Sequence, residues 1–495
     1  MSSAVLQPCD ETGRRTADRS AGTGTLVATV LASSLTFIEG SIVNVALPAM
    51  EAGLGTNAAG AQWIVNAYLL PLGALVLIGG ALGDHYGRRR MLTAGVALFG
   101  LACLACAVAP SLGWLLAARA AQGAGAALIA PNSLAILATA FSGPARGRAV
   151  GTWAAAGAAG GALAPVIGGW ITDALSWRWA FGIVVPLTVA ALLAARRFME
   201  ESREEDDAAP LDWTGAALAA GALALAVWAL VALPERGARD VAVWLALAGG
   251  VSLGAVFLVV ERRKGARAMT PLPLFATPAF AAISILTFLL YAALGGLLVL
   301  LPYVLIEAHG FSATQAGLAL LPLPLVMGLL SRFTGGLAAR VGPGRMLTAG
   351  PLVVAAGFAW LALVPDGDLS YARHLMPGLM AMAFGMAASV APLTAAVMDA
   401  APAEHVGVAS GVNNAIARIA GLVAIALLGF VMGREGAEAL MAGFRAAAWI
   451  GSAAATASAL AILLLMGWGP PRGEDARGPG RAETGHRRTR RGATA

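Results

Sequence analysis

The chain has 495 residues, 58% of them hydrophobic and only 12% charged, with a mean hydropathy of +0.76 and a formal net charge of +6. A soluble domain carries roughly 25% charged residues, so a chain this long with so few could not cover a water-facing surface. The composition excludes a cytosolic enzyme, a disordered chain and a disulfide scaffold, and it predicts a polytopic membrane protein. Apolar runs near the roughly 20 residues that cross a bilayer fall at 26–48, 61–82, 91–110, 112–138, 149–172, 179–196, 214–234, 241–260, 279–303, 316–337, 346–365, 375–398, 406–432 and 443–468. The expected fold is all-α, with 14 transmembrane helices.

The first 25 residues are polar and show no cleavable signal pattern, so the first span is expected to insert directly. An even number of spans puts both termini on one side. With the N-terminus inside, the inside segments hold 24 of the 33 Lys and Arg residues and the outside loops six. Positive charge marks the cytoplasmic side, so both termini are expected there, in the cell membrane. The net positive charge then needs no nucleic-acid partner. The Arg-rich tail, 469–495, reads as a topology anchor or a contact with anionic lipid. Cys103 and Cys106 sit in a C-x-x-C inside an apolar run, where packing one helical turn apart is favoured over a redox pair.

An internal repeat organises the chain. Residues 80–95 read GALGDHYGRRRMLTAG and residues 335–350 read GGLAARVGPGRMLTAG, identical at nine of sixteen positions. Each copy joins two spans on the inner side, and the copies lie eight spans apart. Repeated halves are a habit of secondary transporters. Two six-helix halves therefore leave two inserted helices, spans 7 and 8. The expected divisions are a tail at 1–25, a first bundle at 26–200, a linker with the inserted helices at 201–270, a second bundle at 271–468, and the basic tail.

Four motifs carry a resemblance. The loop after span 2 contains Gly80, Gly83, Asp84, Gly87, Arg88, Arg89 and Arg90, with glycines suited to a tight turn and an acid suited to a helix start or an Arg partner. Span 4 carries Leu115, Arg119, Gln122, Gly123, Gly125 and Ala127. Span 5 carries Gly157, Gly160, Gly161, Ala164, Pro165, Gly168 and Gly169, a pattern that lets backbones touch and bends the helix. Span 1 reads Ile38-Glu39-Gly40-Ser41-Ile42-Val43-Asn44-Val45-Ala46-Leu47-Pro48.

In this order, on these spans, the motifs resemble those of the major facilitator superfamily, in its fourteen-span drug:proton antiporter branch. The resemblance covers Thr25 to Trp468. It implies two six-helix bundles that rock between two open states, and a proton gradient as the energy source with no cofactor. It also implies a small-molecule substrate, protons and the bilayer as partners, and function as a monomer. The first loop becomes a cytoplasmic gate. The second copy has Ala339 in place of Asp84, and Pro343-Gly344 in place of Arg88-Arg89, so its latch is expected to be weaker or absent. The span 5 motif marks exporters, with Ala164 replacing a family glycine. In span 1, Glu39 and Ser41 stand where the family usually has Asp and Thr.

Of the 27 acids, Glu39 alone lies near the middle of a span. Burial disfavours the charged form of a carboxyl, and a group that can be charged or neutral can carry a proton. At 1.5 Å per residue, Glu39 and Arg119 lie about 14 Å and about 11 Å from the outer ends of their spans, so they can meet. Two readings stand: a proton-coupling pair released by protonation, or a permanent salt bridge.

Asn44, Gln62, Asn66, Tyr68, Gln122, Asn132, Asn413, Asn414 and Arg418 are the candidate substrate-cavity residues, each also able to hydrogen-bond between helices. Trp63, Trp177 and Trp179 read as interface anchors, and Met376, Met380, Met382 and Met386 as packing. The five histidines are scattered, no phosphate-binding loop occurs, and no metal cluster is apparent. The expected function is proton-coupled export of small amphipathic or cationic compounds. Dedicated export of one endogenous metabolite is the alternative, and a membrane-embedded enzyme or sensor the remote one.

Overall fold

A computed structural model describes residues 11–203, 211–265, 268, 270–365, 367, 369–402, 406–433 and 436–466. The basic tail at 469–495 lies outside the described residues, as does the side chain of Arg332. Among the described residues there is no strand, as a bilayer demands of a chain that must satisfy its backbone within each helix. The helices are α1 (Glu11–Leu54), α2 (Ala58–Tyr86), α3 (Arg88–Ala107), α4 (Leu112–Ala140), α5 (Gly143–Ala174), α6 (Arg178–Gly182), α7 (Val184–Phe198), α8 (Trp213–Arg236) and α9 (Val241–Lys264). They continue with α10 (Pro278–Glu307), α11 (Ala313–Leu320), α12 (Pro322–Val341), α13 (Pro343–Leu361), α14 (Met376–Asp399), α15 (Val406–Leu427), α16 (Gly429–Met432) and α17 (Ala437–Leu465).

Fourteen stretches of described helix are long and apolar enough to cross a membrane, matching the fourteen apolar runs. Short breaks divide three of them, giving α6/α7, α11/α12 and α15/α16. The polar N-terminal segment departs from a simple tail. Over the described residues, α1 runs without a break from Glu11 into the apolar span starting near Gly22, and no proline interrupts that stretch.

Helix packing repeats between the halves. In the first, α4 lies against α2 and α3, and α1 against α5 and α7. In the second, α14 lies against α12 and α13, and α10 against α15 and α17. The fold is thus two six-helix bundles plus the inserted hairpin α8–α9. Helix α8 packs on α2 and α15, whereas α9 packs chiefly on α8.

The sequence repeat produces the same local geometry twice. Gly87 closes α2 and opens α3 with φ 108°, its N–H donating to the Gly83 carbonyl at 2.9 Å. Gly342 does the same between α12 and α13 with φ 100°, donating to Ala338 at 2.9 Å. Only glycine takes this conformation without strain. The shared run ends on Gly95 and Gly350, where backbones touch. A Cβ on Gly95 would fall 2.8 Å from the Gly125 carbonyl of α4, and one on Gly350 would fall 2.9 Å from the Gly385 carbonyl of α14.

The base of the hairpin is tied by charge. Asp212 caps α8 by accepting from Gly215 N at 2.6 Å and is ion-paired with Lys264, the only lysine in the chain. Glu261, one turn back from Lys264, accepts from Thr270 N at 2.6 Å. Burial raises the Asp212 carboxyl, but Lys264 and the Gly215 N–H outweigh it and hold the group below the usual carboxylate range.

Candidate functional site

Four helices converge on one buried cluster. Helix α1 supplies Glu39, α2 supplies Tyr68 and the Ile64 carbonyl, α3 supplies Cys103, and α4 supplies Arg119 and Gln122. Glu39 is 0% exposed and Arg119 is 1% exposed, and Arg119 Nη1 donates to Glu39 Oε1 at 2.7 Å. The same Nη1 donates to Gln122 Oε1 at 2.6 Å, and Nε donates to Ile64 O at 3.0 Å. The guanidinium lies 4.5 Å from the Tyr68 ring centroid and 5.8 Å from that of Phe181. Gln122 Nε2 donates in turn to Cys103 Sγ at 3.1 Å.

Arg119 and Gln122 are i, i+3 on α4, which places them on one helix face towards Glu39. Gly123 makes the approach possible: a Cβ there would collide with the Tyr68 carbonyl. The second carboxyl oxygen, Glu39 Oε2, is buried without a hydrogen-bond partner, as are the Tyr68 hydroxyl and both amide atoms of Asn66. A buried carboxyl oxygen left without a hydrogen bond carries an uncompensated desolvation cost.

The other polar candidates are placed differently. Asn132 donates from α4 to Gly79 O on α2 at 3.0 Å and to Leu128 O at 2.8 Å, which ties two helices together. Asn44 donates within α1 to Gly40 O at 3.4 Å. Gln62, with its amide oriented to suit its neighbours, donates to Ala426 O at 3.2 Å and accepts from Gly429 N at 2.6 Å. Asn413 Oδ1 accepts from Thr287 Oγ1 at 2.7 Å, linking α15 to α10, while Asn414, one residue on, is exposed. Arg418 sits half-buried on α15, where a Cβ added at Gly73 of α2 would fall 3.5 Å from the Arg418 Cβ. Trp177 departs from the role of an interface anchor: it is 4% exposed and packs edge-on to Phe181.

The Gly80–Arg90 loop, expected to be a cytoplasmic gate, makes its contacts at Asp84, Arg89 and Arg90 within its own half. Asp84 pairs with Arg88 at 2.7 Å. Glu201, which the motif does not contain, caps α3 by accepting from Arg89 N at 3.0 Å and Arg90 N at 3.2 Å. Arg89 Nη2 donates to Arg196 O at 2.8 Å.

Polar contacts between the two bundles gather at the opposite end of the molecule. Asp173, at the end of α5, accepts from Ala313 N, Thr314 N and Thr314 Oγ1 at the start of α11 (3.1, 2.9 and 2.6 Å). Tyr303 donates to Glu51 at 3.1 Å, and Gln62 reaches Ala426. The glycine-proline motif of α5 serves two neighbours. Gly157, Gly160, Gly161 and Gly168 face α1, whereas a Cβ on Gly169 would strike the Ala313 backbone and one on Gly317 would strike the Pro165 carbonyl. Sequence reasoning missed Asp173, Thr314, Glu51, Tyr303 and Glu201, because single polar residues at span ends give no pattern.

The sequence profile described as Major Facilitator Superfamily matches residues 29–425 and again 283–493. The chain is similar to "Cephamycin export protein CmcT" of Amycolatopsis lactamdurans, at 34% identity over 90% of this chain and 93% of that one. It is similar to "Puromycin resistance protein pur8" of Streptomyces alboniger, at 34% identity over 82% and 81%. It is also similar to "Multidrug resistance protein Stp" of Mycobacterium tuberculosis, at 33% identity over 82% and 75%. Among solved structures, the fold is similar to a POT family transporter in complex with 5-aminolevulinic acid, with a TM-score of 0.68 and 14% identity over 90% and 96% of the two chains. A bacterial homologue of the lysosomal transporter Spinster, in an inward-facing and unoccupied conformation, gives a TM-score of 0.62 at 16% identity over 90% and 98%.

Proposed function

The chain belongs to the major facilitator superfamily, and from that premise we propose that it exports small amphipathic compounds in exchange for protons. It is a multi-pass membrane transporter, not an enzyme. The observation that carries the proton step is the buried Glu39–Arg119 pair at 2.7 Å, with Glu39 Oε2 unpartnered. A proton arriving on Glu39 removes half of the ion pair and leaves Arg119 to Gln122, Ile64 O and the Tyr68 face. The helices joined by the pair, α1 and α4, are then free to settle differently against each other.

The Lys and Arg distribution supports a cytoplasmic side for the Asp84 loop and both termini. On that reading the contacts at Asp173, Glu51 and Gln62 hold the outer side closed, and the cytoplasmic side is the one that opens for loading. Alternation consists of breaking these contacts and bringing the cytoplasmic ends together. Protein partners are not required, and the monomer is the working unit.

The names of the relatives support export of toxic compounds, and two of the three name a single compound or compound class, which favours dedicated export of one metabolite as the second reading. The test is dye and antibiotic uptake into everted vesicles, with and without a lumen-acid proton gradient. Wild type should accumulate substrate only with the gradient, and Glu39→Gln should lose that dependence. Full gradient-driven transport by Glu39→Gln overturns the proton role. A growth defect towards one compound only selects the dedicated reading.

A further inference from the structure

Two arginines lie deep in the described spans with known surroundings, and those surroundings differ. Arg119 has a carboxylate, an amide, a backbone carbonyl and an aromatic face. Arg418 has none of the first three: among the described residues it has no hydrogen-bond or ion-pair partner. It lies within the span Gly407–Met432, about 16 Å and about 21 Å along the helix axis from its two ends. From that depth a side chain does not reach the water at either face, as arginines near helix ends do.

The groups around Arg418 are neutral. Gly73 of α2 supports its Cβ, and the phenols of Tyr68 on α2 and Tyr291 on α10 lie in the field of its charge. Asn413, on the same helix, is engaged with Thr287. The acid nearest in depth, Glu39, is already neutralised by Arg119. The interface between α2, α10 and α15 therefore holds one uncompensated positive charge, beside a buried tyrosine hydroxyl that has no hydrogen-bond partner. A half-buried guanidinium this far from both faces is costly unless an anion or cavity water joins it.

Resting on the exporter reading above, we propose that Arg418 binds a carboxylate carried by the transported molecule. The planar guanidinium pairs with a carboxylate through two parallel N–H···O bonds, and the Tyr68 hydroxyl supplies a further donor. The apolar body of the molecule lies against Tyr291, Leu69 and Leu77 between the halves. The preferred substrate is thus an amphipathic carboxylate, which narrows the broader amphipathic class. Tyr68 joins this site to the proton site, since its ring face takes Arg119 and its buried hydroxyl, which has no hydrogen-bond partner, interacts electrostatically with Arg418.

The test uses the full chain in phosphatidylcholine nanodiscs and three probes on one skeleton: 1-naphthylacetate, 1-naphthylacetamide and 1-naphthylmethylammonium. Wild type should bind the carboxylate about tenfold or more tighter than the amide, the scale of one charge-assisted hydrogen bond. Arg418→Gln should bring that ratio to about one, and Arg418→Lys should restore part of it. A wild-type ratio near one, stronger binding of the ammonium probe, or no binding of any probe overturns the proposal without needing a variant. So does an unchanged ratio in Arg418→Gln. Adding phosphatidylglycerol should leave carboxylate binding intact, whereas its complete displacement assigns Arg418 to a lipid headgroup and overturns the proposal. Proton-driven efflux of the neutral amide reports separately on export: pumping without carboxylate preference defeats this inference alone, and carboxylate preference without pumping defeats the exporter reading alone.

Discussion

Asp173 and Thr314 join the end of the first bundle to the start of a helix in the second. The carboxylate takes both the Thr314 N–H, at 2.9 Å, and its hydroxyl, at 2.6 Å, and adds the Ala313 N–H at 3.1 Å. An acid at a helix N-terminus meets the orphan N–H groups and the positive end of the dipole together. Asp173→Asn should weaken this contact by about 1 kcal/mol, the scale for a solvent-accessible charged contact, which shifts the population between states about fivefold. Spin labels on the exposed residues Leu175 and Leu318 should report a longer and broader distance in the variant. An unchanged distribution removes the contact from the gating argument.

The Glu39–Arg119 pair gives a stability prediction independent of transport. Removing one partner of a buried pair leaves an uncompensated charge and costs about 3–5 kcal/mol. Glu39→Leu should therefore lower the unfolding temperature strongly, because it strands Arg119. The double variant Glu39→Leu/Arg119→Met should recover much of the loss. Additive losses in thermal unfolding would contradict direct coupling.

The repeated loops offer a matched pair of substitutions. Gly87→Ala and Gly342→Ala both force a side chain into positive φ, which costs about 1–3 kcal/mol. A Cβ on Gly87 also meets the Glu201 carboxylate at 2.5 Å, whereas one on Gly342 meets nothing within 4 Å. Gly87→Ala should be the more destabilising of the two, and it should also release Glu201 from its cap on α3. Equal losses in thermal unfolding would show that Glu201 yields freely.

At the hairpin base, Lys264→Met leaves Asp212 facing Glu261 without its cation. Partly exposed, the pair should contribute about 1–2 kcal/mol. Loss of thermal stability in Lys264→Met, recovered in Lys264→Met/Asp212→Asn, is the expected pattern. The sign of the Asp212 shift adds a pH dependence. Because its folded value is depressed, its contribution is present above the ordinary carboxylate range and is lost as the pH falls through the folded value. Lys264→Met should abolish this acid-dependent loss.

Spans, repeat and family were legible in the chain itself, because a bilayer enforces them locally. Twenty apolar residues make a span wherever they occur, and RMLTAG followed its glycine into the same turn twice. Glu39 and Arg119 were legible for a related reason: a charge inside an apolar run stands out whatever surrounds it. The tertiary structure decided which polar groups have partners. Asn132 and Gln62 looked like Asn66 in sequence, yet they bind backbone carbonyls on neighbouring helices while Asn66 has no partner. Arg119 and Arg418 looked alike too, each one charge within a span. The packing of α1 onto α4 gave one of them a carboxylate, and the packing of α15 onto α2 left the other beside tyrosines. Hydrophobicity is a sum along the chain, whereas charge compensation depends on which side chain lies within about 4 Å, and only the folded arrangement of helices sets that.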